Sequence, residues 1–418
     1  MMKVLVIFVG GHLATAPRAQ KEAAAARVAG FRVLVRGVWR DDTLAIEDAE
    51  IARDLGIDYK PVVDLRCGDL GTRFLRLKQR LAREAFVRFG WVGPRAFGIG
   101  GPEMLREGIR IAPDLTMVHS EAGLWVGAQL LKRGFRVGVD FEDWFSEDLP
   151  LSDRNCRPVA AIRLLEHHLL SKANPVFTTT HVMAEAMAAD SEWERAPMVI
   201  PNCFPWSGAP QRGKGVRDER ESGAVSFYWF SQTIGPGRGL ETLAHALLPL
   251  EGDWELHLRG DLRNYHAWFE ANFSQEIRHR VKLHALVPNA ELAERSASHD
   301  VGLALEEPYC RNKEFTASNK IFEYLRCGLA VVATDTRGQC EVMAACPDAG
   351  WVIPSGDIDA LAKCLQRIID KPKCLQSAKA KALDAAASSW AWENHSLRLK
   401  EALLACAGSQ QISNARNS

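Results

Sequence analysis

Residues 301–338, VGLALEEPYCRNKEFTASNKIFEYLRCGLAVVATDTRG, restrict the possible folds of this chain more than any other segment. An apolar run (301–305) leads through a polar loop into a helical stretch (about 318–326). Gly328 stops that stretch, and a second apolar run (329–334) follows. Two short apolar runs joined by a helix spell a parallel βαβ unit. Such sheets bind ligands outside the carboxyl ends of their strands, where helix N-termini present free N–H groups to anions. At 100° per residue Ile321 and Leu325 share one helix face, and Glu323 lies off it. The expectation is an exposed carboxylate beside an anion site, suited to ribose hydroxyls.

The same alternation runs through the whole chain. In the first half, apolar runs at 4–9, 31–35, 116–118, 136–139, 176–178 and 198–200 alternate with helical stretches at 18–29, 123–132 and 160–171. A polar, glycine-rich stretch (207–223) interrupts the rhythm and reads as a linker or exposed loop. A second series follows at 225–230, 255–258, 281–283, 301–305 and 329–334, ending in helices at 358–369 and 391–406. This pattern predicts an α/β protein with two doubly wound, Rossmann-like domains facing across a cleft. The expected boundaries are 1–205, a linker or loop at 206–222, and 223–388. A C-terminal helix with a polar tail occupies 389–418.

Composition excludes several classes. Lys+Arg and Asp+Glu both total 52, so no global field favours nucleic acid. Ten cysteines without C-x-x-C spacing point to reduced thiols rather than a disulfide framework or zinc site. The apolar start at 4–9 is too short for a signal segment, and no run is long enough for a membrane helix. The expectation is a soluble, cytoplasmic protein. One segment, 73–95, departs from the balance, with seven basic residues against the single acid Glu84, interleaved with Phe74, Leu77, Leu81, Phe86, Phe89 and Trp91. A basic amphipathic helix of this kind suits peripheral contact with an anionic lipid surface. A helix packed on its domain with a solvated basic face has the same pattern.

The run SNKIFEYLRCGLAVVATDTRGQ resembles the nucleotide-binding segment of retaining glycosyltransferases of the GT-B fold, family four. HSEAGLWVGAQLL, VDFEDWFSEDL, VIPNCFP and IGPGRGLETLAHAL agree in order, so the resemblance spans about residues 4–403. It implies transfer of a sugar from a nucleotide diphosphate donor to a hydroxyl on a glycan or lipid-linked acceptor, in polysaccharide or glycolipid assembly. No metal and no cofactor are implied. A UDP-sugar 2-epimerase on the same fold, and a non-catalytic sugar-nucleotide or glycan-binding relative, are the alternatives.

Site residues follow from the same resemblance. In FSQTIGPGRGLE, Gly237 and Gly239 permit tight turns and close approach of a ligand. Arg238 stands where relatives carry lysine, placed to clamp a diphosphate and support the leaving group. Ser318, Asn319 and Lys320 open a helix toward the phosphates, and Glu323 takes the ribose. Glu314 is the candidate glutamate nearest the transferred sugar. It lies one residue off the family spacing, which leaves Glu306 and Glu307 open for that role. In the first half, Gly11 follows the first strand, beside His12, which reads as a solvated loop residue or a donor-sugar contact. Glu121 and Glu142 occupy positions where relatives have histidine. These carboxylates suit an acceptor-orienting or general-base role and equally suit strand-end caps.

Overall fold

Apolar runs that need helices on both faces pair here as two separate parallel sheets. The computed structural model describes residues 2–191, 195–210 and 223–408. Two units are distinguished. One comprises Met1–Thr179, Ala184–Ile200 and His395–Ser418, the other Thr180–Met183 and Pro201–Asn394. Of the expected linker and tail, residues 211–222 and 409–418 lie outside the described residues.

The first sheet contains β1 (Val4–Phe8), β2 (Arg32–Trp39), β3 (Asp58–Asp64), β4 (Leu115–Val118), β5 (Val137–Phe141), β6 (Val176–Thr178) and β7 (Met198–Val199), in the order β3-β2-β1-β4-β5-β6-β7. The second contains β8 (Val225–Thr233), β9 (Trp254–Asp261), β10 (Val281–His284), β11 (Val301–Ala304), β12 (Ala330–Thr334) and β13 (Gly350–Ile353), in the order β10-β9-β8-β11-β12-β13. Central strands such as β12 are buried throughout, which explains their unbroken apolar runs. The second sheet is asymmetric. One face carries the apolar core of Phe227, Trp229, Leu256 and Leu258. The other carries the buried polar residues Ser226, Glu255, His257 and Arg259.

This topology is the doubly wound α/β fold. It reverses direction between β1 and β4 in the first unit and between β8 and β11 in the second. At those two points neighbouring strands send their following loops to opposite sides, leaving a crevice at the strand ends. Among the described residues no helix is long and apolar enough to cross a membrane.

Candidate active site

In the second unit, β8 and β11 deliver two loops to one place. The loop after β8 ends at the helix Leu240–Leu247, whose N-cap Gly239 has φ +73°. A Cβ at Gly239 would lie 2.3 Å from the carbonyl oxygen of Leu305, so only glycine lets the loop seat against the end of β11. Arg238 beside it is exposed and donates from Nη1 to Ser231 Oγ at 3.1 Å. Glu307 accepts the Gly239 N–H, while burial and the nearby Glu241 raise its pKa.

The chain after β11 supplies the other half. Glu306 accepts from Lys320 Nζ at 2.6 Å, and its backbone oxygen accepts from Thr334 Oγ1 at 2.6 Å. Burial opposes charge on Glu306, but Lys320 outweighs it and holds the pKa at about 2. Ser318 caps the helix Asn319–Cys327, accepting from the Lys320 N–H at 3.4 Å. Asn319 Oδ1 accepts from Asn202 at 2.6 Å. The Gly239 turn packs on Leu305, and the next residue grips Lys320. The two loops therefore converge on residues 305–307.

The two glutamates expected around this helix are placed differently. Glu314 lies half-buried on the short helix Arg311–Phe315, and no hydrogen bond or ion pair holds its carboxylate among the described residues. Glu323 is 1% exposed, which corrects the expectation of a solvated carboxylate. Arg326 clamps it from Nε at 3.0 Å and Nη2 at 3.1 Å, and the Cys327 thiol lies at 3.7 Å. The helical wheel identified one apolar face. Neighbours cover most of the helix, so Ile321, Phe322, Glu323, Tyr324 and Leu325 are all buried.

In the first unit the loops after β1 and β4 also meet. A Cβ on Gly10 would come within 2.8 Å of Ser120, which has φ +68°. A non-glycine residue in that region marks stored backbone strain at a strand end. Gly11 is half-buried with open space beside it. His12 is neither solvated nor available. Its Nδ1 bonds Asp48 at 2.7 Å, and its Nε2 accepts from the N–H groups of Arg40 and Asp41.

Behind these loops lies a buried polar cluster that the sequence reading missed. His119 Nε2 meets Glu22 at 2.6 Å, and Arg18 donates from Nε to Asp140 at 2.7 Å and from Nη1 to the Ile200 carbonyl at 2.6 Å. Burial disfavours charge on His119. Glu22, Asp140 and Glu142 outweigh that and raise its pKa to about 9. Burial raises Glu22 itself. Glu22, His119 and Asp140 each bring one ligand atom within 4.8 Å of the others. The Arg18 guanidinium already bonded to Asp140 supplies that set with a cation. Arg18 and Glu22 sit four residues apart on an alanine-rich helix, Pro17–Val28, where such a pair reads as solvent-facing. Glu121 pairs with Arg157, and Glu142, half-buried, is raised by burial to about 7.

Residues 228–371, the span from β8 past β13 that holds both loops of the second unit, match the family described as "Glycosyl transferases group 1". Over this segment, about a third of its length, the chain is similar to the group 1 glycosyltransferases. No curated protein matches it in sequence. Solved structures match the chain over nearly its whole length. A glycosyltransferase from Rickettsia africae ESF-5 is 11% identical, with 98% of this chain and 100% of that one covered and a TM-score of 0.68. Anabaena Alr3699/HepE in complex with UDP is 16% identical, with 97% and 100% covered and a TM-score of 0.68. Sucrose-phosphate synthase from Thermosynechococcus elongatus is 16% identical, with 96% and 98% covered and a TM-score of 0.68. These likenesses show the GT-B fold for this chain.

Proposed function

We propose that the chain transfers a sugar, with retention, from a UDP-sugar to a hydroxyl acceptor in polysaccharide or glycolipid assembly. The observation that carries this reading is the convergence of the Gly239 turn and the Ser318-capped helix on residues 305–307. It puts Arg238, Lys320 and two helix starts at the switch point of the second sheet. The choice of uridine follows the UDP bound by the Anabaena neighbour.

In this reading Arg238 and Lys320 neutralise the diphosphate as its bond to the anomeric carbon breaks, so charge compensation needs no metal. The backbone of Gly237 and Gly239, with Ser318 and Asn319, lines the phosphates. Glu323 takes the ribose by exchanging one of its Arg326 bonds. Lys320 must leave Glu306 to reach phosphate, which frees Glu306 beside the transferred sugar. Glu306 is thus a stronger candidate than Glu314 for the glutamate of that role. The acceptor oxygen bonds to the anomeric carbon on the face the diphosphate leaves. Its proton passes to the departing phosphate oxygen. In the first unit Glu121, tied to Arg157, and Glu142, with a pKa of about 7, serve the acceptor hydroxyl.

The test is a thermal-shift series with UDP, GDP and ADP, followed by product analysis with labelled UDP-sugars and a lipid extract. Stabilisation by UDP, acceptor-dependent transfer, and a loss of about 10²-fold or more in turnover for Arg238→Ala are expected. Sugar turnover without any acceptor would replace the reading with epimerisation. Saturable binding without turnover would replace it with a binding protein.

A further inference from the structure

The helix Leu70–Phe89 has an unusual surface. Of its 20 residues only Thr72 is buried. On one side Leu75, Ala82 and Phe86 are half-buried, and Arg76 donates to the Leu65 carbonyl at 2.7 Å, which fixes the helix in place. The other side carries a second apolar stripe that none of the described residues covers. Leu70, Phe74, Leu77 and Leu81 are 82%, 56%, 49% and 57% exposed, and at 100° per residue they fall within about 60° of one another. Arg73 and Arg80 border this stripe on one flank and Lys78 on the other. The stripe continues into the Glu84–Arg88 ion pair and ends near Phe89 and Trp91, which are 71% and 74% exposed.

We propose that this stripe is a docking surface for an anionic lipid bilayer, with the helix lying in the interface plane. Charge selects the occupant. The chain as a whole is balanced at 52 cations and 52 anions, yet this helix holds six cations and one acid. Glu84 is already bound to Arg88. Arg73, Arg80 and Arg83 have no carboxylate partner among the described residues. Long basic side chains flanking an apolar stripe can reach lipid phosphates while the stripe enters the acyl boundary. An aromatic pair at one end suits the headgroup level. The proposal is independent of the transferase chemistry, because none of these residues belongs to the candidate site.

The test is sedimentation of the full chain with phosphatidylcholine vesicles made with and without phosphatidylglycerol. Binding only to the anionic vesicles, weakened by salt, is expected. Phe74→Asp combined with Leu77→Asp should weaken it at least about tenfold, since charge then replaces interfacial apolar contact. Arg73→Glu with Arg80→Glu should weaken it comparably through the flank alone. All four positions are exposed, so melting temperatures should match the wild type. Equal binding to neutral and anionic vesicles, or wild-type binding by both double variants, overturns the proposal. So does concentration-dependent dimerisation that the same substitutions abolish, which would assign the stripe to a second copy.

Discussion

Lys320 reaches from the first turn of its helix to Glu306, Nζ to Oε1 at 2.6 Å, with both side chains largely covered. Without nucleotide this bond neutralises both charges, and it competes with any phosphate that needs the lysine. Glu306→Gln should therefore lower the melting of the ligand-free second unit, by about 2 kcal/mol for a lost charged hydrogen bond. It should also tighten UDP binding, because Lys320 no longer has to be withdrawn from a carboxylate. Lys320→Ala should weaken UDP binding. Calorimetric titration checks both signs, and weaker UDP binding in Glu306→Gln would refute the competition.

Two glycines of one loop should respond differently to a methyl group. Gly237 has φ +70° with open space around it, and Gly239 has φ +73° with Leu305 in the way. Gly237→Ala should cost about 1–2 kcal/mol, the left-handed backbone penalty alone. Gly239→Ala adds a backbone collision and should cost clearly more while also weakening nucleotide binding. Denaturant melts of the two variants, read on the second unit, decide it. Equal costs would mean the turn does not need to seat on β11.

Glu323, buried, and Arg326, half-buried, form a bidentate pair three residues apart. Removing one partner strands the other, so Glu323→Ala and Arg326→Ala should each destabilise the unit by about 3 kcal/mol. The double variant should lose less than their sum, with a coupling of about 0.5–3 kcal/mol. A ribose role for Glu323 adds a second signature. UDP affinity should fall further in Glu323→Ala than in Arg326→Ala at matched stability. Equal affinities would leave the carboxylate a purely structural role.

These residues show where sequence reasoning reaches and where it stops. In 301–338 the two strands and the longer helix were legible to within a residue or so because their signals are local: a buried run, a serine cap and a glycine stop; the short helix Arg311–Phe315 was read as loop. Two of the four edge strands, β3 and β13, were not. β3 contains Pro61 and is mostly half-exposed, and β13 has four residues, so neither needs an apolar run. Burial of charge was illegible for another reason. His12 depends on Asp48, His119 on Glu22 and Arg18 on Asp140, partners 36, 97 and 122 residues away. Periodicity can show which side of a helix is apolar, but it cannot show that a second neighbour covers the polar side, which is the case at Glu323.

The same buried charges give the two units opposite responses to pH. In the first unit Glu142 and Glu166 are raised by burial from 4.5 to about 7, and His119 is raised by its carboxylate neighbours, against burial, from 6.5 to about 9. All three bind protons more tightly folded than unfolded. Their contribution is complete below the unfolded pKa values and is lost as pH climbs through about 7 and then about 9. For the fully buried Glu166 and His119 it is on the order of 3 kcal/mol each. In the second unit burial and the nearby His299 lower His257 from 6.5 to about 4, and Lys320 holds Glu306 at about 2. Those groups stabilise above their unfolded values, and that support goes as pH falls through about 4 and then about 2. Raising pH from about 5 to about 9 should therefore weaken the first unit while it strengthens or spares the second. Hydrogen exchange resolved by peptide, corrected for intrinsic rates, separates the two. Glu166→Gln should flatten the alkaline loss in the first unit only. A first unit that gains protection steadily up to about pH 9 would show that these buried carboxyls and His119 do not hold their protons in the fold.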